Sequence, residues 1–187
     1  MSKCIIFDLD GTLINLPIRY ELIQKRLKEL FDTDSELTPL IPSIIHQANN
    51  NQNLIDTAFE LLCDEELIAS ECLEQIEGSQ ELIDEILSKN YTISLVTMQC
   101  KKVAEIILKK INLFEKFSSV ITRDDSTDRF LQIKKTCELL DFMPSDVIMI
   151  GDRIHDINSA KKAGCRSILV NRPDQNSKIL HELRNTL

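Results

Sequence analysis

The chain has 187 residues, 43% of them hydrophobic and 28% charged, enough apolar material for a sizeable buried core. Its formal net charge of −8 argues against a nucleic-acid partner, because binding a phosphate backbone needs a basic face. No apolar run approaches 18 residues, which excludes a helical membrane span.

In chain order, the first element is Cys4-Ile5-Ile6-Phe7, too short for a helix and apolar throughout, as a buried parallel strand is. Asp8-Leu9-Asp10-Gly11-Thr12 follows directly. Alternation puts the Asp8 and Asp10 side chains on one side of the chain with Leu9 opposite. Gly11 lets the backbone turn close to a ligand. In open α/β sheets the carboxyl ends of strands are where ligands bind. A chance acidic turn after an edge strand would look the same in isolation.

From Pro17 to about Glu77 the pattern is helical. Pro17 suits a first helical turn. Tyr20, Ile23, Leu27, Leu30 and Phe31 form one apolar stripe. Leu54, Ala58, Leu61 and Leu62 form a second, and Leu67, Ile68, Cys72 and Ile76 a third. The run Asn49–Asn53 reads as a turn between helices. After Gly78 helices and strands alternate. Helix Glu81–Ser88 leads to strand Thr92–Thr97, and helix Lys101–Lys110 to strand Ser119–Thr122. Helix Phe130–Leu140 leads to strand Asp146–Ile150. Helix Ile157–Ala163, stopped by Gly164, leads to strand Ser167–Val170. This rhythm predicts an α/β fold: a Rossmann-like parallel sheet with helices on both faces, interrupted after its first strand by a small all-helical cap. The expected domains are residues 1–16 with 78–187 for the core and 17–77 for the cap. Asp174–Leu187 reads as a last helix. The six cysteines contain no C-x-x-C pair, and Cys4, Cys137 and Cys165 fall in or beside apolar segments. Buried, reduced thiols are expected. The start, Met-Ser-Lys-Cys and then four apolar residues, does not read as a signal peptide. A cytoplasmic protein, monomer or homodimer, is expected.

The strand Val147–Ile150 is followed by Gly151-Asp152-Arg153-Ile154-His155-Asp156, again a Gly with two carboxylates. Between the two acidic segments, Ser94-Leu95-Val96-Thr97 ends a strand in a hydroxyl. Together these segments resemble the haloacid dehalogenase (HAD) superfamily of phosphohydrolases. Its signature is D-x-D-G-T, a Thr or Ser after a second strand, a Lys or Arg, then G-D-x-x-x-D. The resemblance runs from Lys3 to about Asn171, and the first and last motifs carry most of it. The chain departs from the family's usual Lys-Pro at the third motif.

The resemblance implies that Asp8 attacks phosphorus and carries an aspartyl-phosphate. It implies that Asp10 protonates the leaving oxygen and then activates water. Mg²⁺ would be held by Asp8, Asp152 and the Asp10 backbone carbonyl, supported by Asp156. Thr97 and the amides around Gly11 and Thr12 would meet phosphate oxygens. The basic residue of the site is expected to be Arg129, with Lys134 as second choice and Lys101 as a fallback. His155 and Arg153 suit exposed positions, and His46 and His181 carry little signal of their own. Arg19, Lys25, Arg26, His46 and Gln47 are cap positions that could touch a substrate, or simply form solvated helix faces. The function this implies is an Mg²⁺-dependent phosphatase of a small phosphorylated metabolite, phosphoglycolate-like or a phosphosugar. A phosphosugar mutase of the same family, or a non-catalytic relative that binds ligands or partners, shares the same motifs. A receiver-like signalling domain would place its phosphorylated Asp on a later strand and lack the helical insertion.

Overall fold

The computed structural model of the chain describes residues 3–170. The residues pack as two compact units. One runs to Asn15 and resumes at Glu74, and the other is Leu16–Leu73.

In chain order the strands of the first unit are β1 (Cys4–Phe7), β2 (Ile14–Asn15), β3 (Glu74–Gln75), β4 (Thr92–Val96), β5 (Ser119–Ile121), β6 (Val147–Gly151) and β7 (Arg166–Leu169). Its helices are α4 (Ser79–Ser88), α5 (Lys101–Lys110), α6 (Arg129–Leu139) and α7 (Ile154–Lys162). The main sheet is parallel throughout, ordered β5-β4-β1-β6-β7. β1 is buried along its whole length because it is the central strand. Phe7 sits in register with Leu95 on one side and Ile150 on the other, so the three strands end level with one another.

Alternation along β1 divides the core. Cys4 and Ile6 join Val96, Ile121, Val147 and Met149 in a cluster completed by Ile133 and Cys137 of α6 and Ala160 of α7. Ile5 and Phe7 point to the opposite face. There Phe7 meets Phe117 edge-on, with ring centroids 6.4 Å apart. The connections running outward from β1 to β5 and those running from β6 to β7 leave the centre in opposite directions. Right-handed crossovers therefore put helices on both faces. Ile14 and Gln75 pair across a short antiparallel ladder of β2 and β3, which the sequence reading did not anticipate because two-residue strands carry no periodicity.

The second unit contains α1 (Tyr20–Phe31), α2 (Leu40–Ala48) and α3 (Gln52–Ser70) around Ile23, Leu27, Leu37, Ile44, Ala58 and Leu62. Asn49, at φ 46°, ends α2, and the Asn51 side chain accepts from Leu54 N–H to start α3. The Asn run is thus a pair of caps around a turn. α1 begins at Tyr20, three residues later than the Pro17 signal suggested. One 19-residue helix, α3, spans the second stripe and much of the third. Its later inward face is not the apolar stripe, since Ile68 is 54% exposed while Glu65 and Glu66 are buried. Glu65 is buried because Arg19 grips it: Nε donates to Oε1 and Nη2 to Oε2, both at 2.8 Å, and the Arg19 amide donates to Oε1 at 3.2 Å. This bidentate clamp holds the Glu65 carboxyl below its ordinary pKa.

Cys4, Cys137 and Cys165 are free and buried, and Cys72 is free and exposed. The helix expected over Asp174–Leu187 and His181 lie outside the described residues. Among the described residues no helix is long and apolar enough to cross a membrane.

Ile6 is fully buried in the central strand. Ile6→Ala is expected to lower the unfolding free energy by about 2–5 kcal/mol in urea melts. A loss below about 0.5 kcal/mol, the range of surface substitutions, would mean that β1 is not the core of this unit.

Candidate active site

The carboxyl ends of β1, β4 and β6 lie side by side, and the residues that follow them form the site. Asp8 leaves β1 with its amide still donating to Ile150 O at 2.9 Å, so the sheet ladder holds its backbone. Asp152 follows β6, and Asp156 lies in the first turn of α7, where a carboxylate complements the helix dipole. Asp8, Asp152 and Asp156 each offer an oxygen within 4.8 Å of the others. Asp8 is 5% exposed and Asp156 1%, while Asp152 is half-buried.

Two glycines permit this convergence. Gly11 has φ +84°, and a Cβ there would lie 2.2 Å from Asp152 Oδ2. A Cβ on Gly151 would lie 2.6 Å from Asp156 Oδ2. Any larger residue at either point would push a carboxylate out of the cluster.

Arg129 is the first residue of α6, a helix capped by the Asp128 side chain accepting from Phe130 N–H at 2.8 Å. The guanidinium is 5% exposed. Its Nη2 donates to Asp8 Oδ1 at 2.7 Å, and its Nε lies 2.9 Å from Asp156 Oδ1. The second contact is an ion pair without hydrogen-bond alignment of the N–H. Lys134 is elsewhere, exposed and 3.6 Å from Glu138. Lys101 is also exposed. The structure therefore brings Arg129 to the carboxylates and leaves both alternatives at the surface.

Burial is the main influence on Asp8 and raises its pKa. Arg129 pulls the other way, and Asp156 and Asp152 add to the rise, leaving Asp8 at about 7. One guanidinium does not balance three converging carboxylates. The donor set is all oxygen, which suits a hard divalent cation.

The remaining expected residues are placed as follows. Asp10 is half-buried beside the cluster in sequence and bridges to Ile14. Thr97 directly follows β4 and is fully buried, with its hydroxyl donating to Gln99 Oε1. The Gly11 amide donates to Ile14 O at 2.8 Å and the Thr12 amide to Leu9 O at 3.3 Å, so both are engaged within the turn. Arg153 and His155 are exposed. The residue that sequence reasoning missed is Gln132, fully buried and 3.1 Å from Arg129 Nη1. Its signal was available: Arg129 and Gln132 are three apart on a helix and share a face.

The sequence profile of the haloacid dehalogenase-like hydrolases matches residues 5–170. The chain belongs to this family. Among HAD-like relatives, pyrophosphatase PpaX of Bacillus mycoides (strain KBAB4) is 28% identical over 180 residues, covering 89% of this chain and 82% of that protein. The fold matches a haloacid dehalogenase-like family protein from Streptococcus pneumoniae with TM-score 0.71, at 18% identity over 97% of this chain and 98% of that one. It also matches a HAD-superfamily hydrolase of subfamily IA from Geobacter sulfurreducens PCA with TM-score 0.67, at 18% identity over 97% and 96%.

Two outcomes follow for this HAD-like site. The folded state holds the Asp8 proton up to about pH 7, whereas the unfolded chain releases it near the ordinary 3.8. Unfolding therefore releases a proton between these values, and the Asp8 contribution to stability falls as pH rises through that window. In EDTA, the melting temperature of Asp8→Asn minus that of the wild type should widen from pH 4 to pH 7 and then level off. A constant difference would refute the raised pKa. Gly11→Ala should weaken divalent-metal binding at least about tenfold in calorimetry, by displacing Asp152. Unchanged affinity would mean that Asp152 takes no part in holding the metal.

Proposed function

We propose that the chain is a divalent-metal-dependent phosphatase of small phosphorylated substrates, working through an aspartyl-phosphate on Asp8. The observation that carries this reading is the geometry around Asp8. Its Oδ1 is held by Arg129, which leaves Oδ2 as the attacking atom. Oδ2 would form the bond to phosphorus as the bond to the leaving oxygen breaks. Asp10 would give that oxygen its proton, then take one from the water that cleaves the acyl-phosphate, returning Asp8 and inorganic phosphate. Arg129 would favour the ionised form of Asp8 against the opposing effect of burial, and would stabilise charge on the transferring group. Asp8, Asp152 and the Asp10 carbonyl would hold Mg²⁺, with Asp156 in support. When bound, the cation would offset the charge of the phosphoryl oxygens against the carboxylates.

The inserted helical unit would act as the cap that excludes water and selects the substrate. The name of the Bacillus relatives favours hydrolysis over a mutase reaction and puts inorganic pyrophosphate on the substrate panel beside phosphoglycolate and phosphosugars. The test is such a panel with Mg²⁺. Asp8→Asn should abolish turnover of every substrate that the wild type cleaves, and EDTA should do the same. Arg129→Ala should lower kcat at least about 100-fold. Near-normal turnover in Asp8→Asn would overturn the reading.

A further inference from the structure

We infer that Gln132 is a positioning residue that sets the orientation of the Arg129 guanidinium for catalysis, an inference that rests on the phosphatase reading. Gln132 has no exposed surface. Its Oε1 accepts from Arg129 Nη1 at 3.1 Å. Its Nε2 donates to Thr97 O at 2.9 Å and to Ser126 O at 2.8 Å. A glutamine amide has one acceptor and two donor protons, and here all three are engaged. The contacts leave one orientation of the amide. Turned over, its NH₂ would face a guanidinium and its oxygen would face two carbonyl oxygens.

The anchors of this amide are independent of one another. Thr97 directly follows β4, and Ser126 belongs to the loop before α6. The acceptor offered to Arg129 is therefore fixed to the sheet rather than to the helix alone. Each guanidinium nitrogen then has its own neighbour: Nη2 has Asp8, Nε has Asp156 and Nη1 has Gln132. A planar group held at three points cannot turn about its long axis. A lysine at 129 would have no use for Gln132, because a single ammonium cannot reach three partners from a rigid plane. A neutral acceptor also suits the place. A glutamate at 132 would take a share of the positive charge that Asp8 and Asp156 require.

A residue that merely tied two loops together would affect folding and leave Arg129 chemistry unchanged. The discriminating experiment is a double-mutant cycle of wild type, Gln132→Leu, Arg129→Lys and the double variant. The readouts are kcat and KM for p-nitrophenyl phosphate with Mg²⁺, and calorimetric Kd for inorganic phosphate. Gln132→Leu should lower kcat roughly 10- to 100-fold, the usual cost of losing an outer-shell partner, with KM changed less than about threefold. In the Arg129→Lys background the same change should cost less than about threefold. Losses that multiply independently would overturn the role of Gln132 while leaving the phosphatase reading intact. A wild type that binds phosphate without turnover would overturn the phosphatase reading, and the cycle in Kd would then decide Gln132 by the same comparison. A wild type that neither binds nor turns over would overturn both. Gln132→Met, of equal length and unbranched, carries the cycle if the leucine variant does not fold.

Discussion

Arg129 bridges Asp8 and Asp156, and the rest of the candidate site depends on that ion-pair network. Three carboxylates brought together in a largely buried place repel one another, and burial alone already disfavours their charge. A guanidinium is the side chain suited to relieve this, because its fork contacts two acids at once and stays charged when dehydrated. Breaking such a pair leaves uncompensated buried charge, which costs more than the pair itself contributes. The network is thus a requirement of the arrangement and only a modest source of net stability.

The fold supplies this network by bringing together strand ends that are far apart in sequence. Asp8 and Arg129 are 121 positions apart, yet their side chains meet at 2.7 Å. The central place of β1 explains this. Its neighbours β4 and β6 end level with it, and α6 crosses back so that its first residue faces the same edge. A sheet whose strand order reverses at its centre opens a crevice at that point, and the acids occupy it.

Much of this could be read from the residues. The short apolar run before Asp8, the second run before Gly151 and the regular alternation after Gly78 each carry a local signal, and those strands and helices stand within a few residues of where the sequence places them. Arg129, the position expected from the family pattern, lies beside Asp8, and Lys134 lies at the surface. What escaped were features made by distant partners. Burial of Glu65 is unreadable without Arg19, which lies 46 residues away. The role of Thr97 O depends on Gln132, which lies 35 residues further on. Gln132 shares a helix face with Arg129, but nothing in the residues alone says which strand end its amide meets.

The short ladder of β2 and β3 has a wider meaning. Pairing of Ile14 with Gln75 pins together the two points where the chain leaves the sheet-bearing unit and re-enters it. Once those ends are joined by backbone hydrogen bonds, the entropy of closing the intervening segment rises only slowly with its length. The scaffold is then almost indifferent to what is carried between them. Such a gate makes the intervening module exchangeable. Helices there can be lengthened, replaced or remodelled by evolution or by grafting, while β1 continues to present Asp8 to the same crevice.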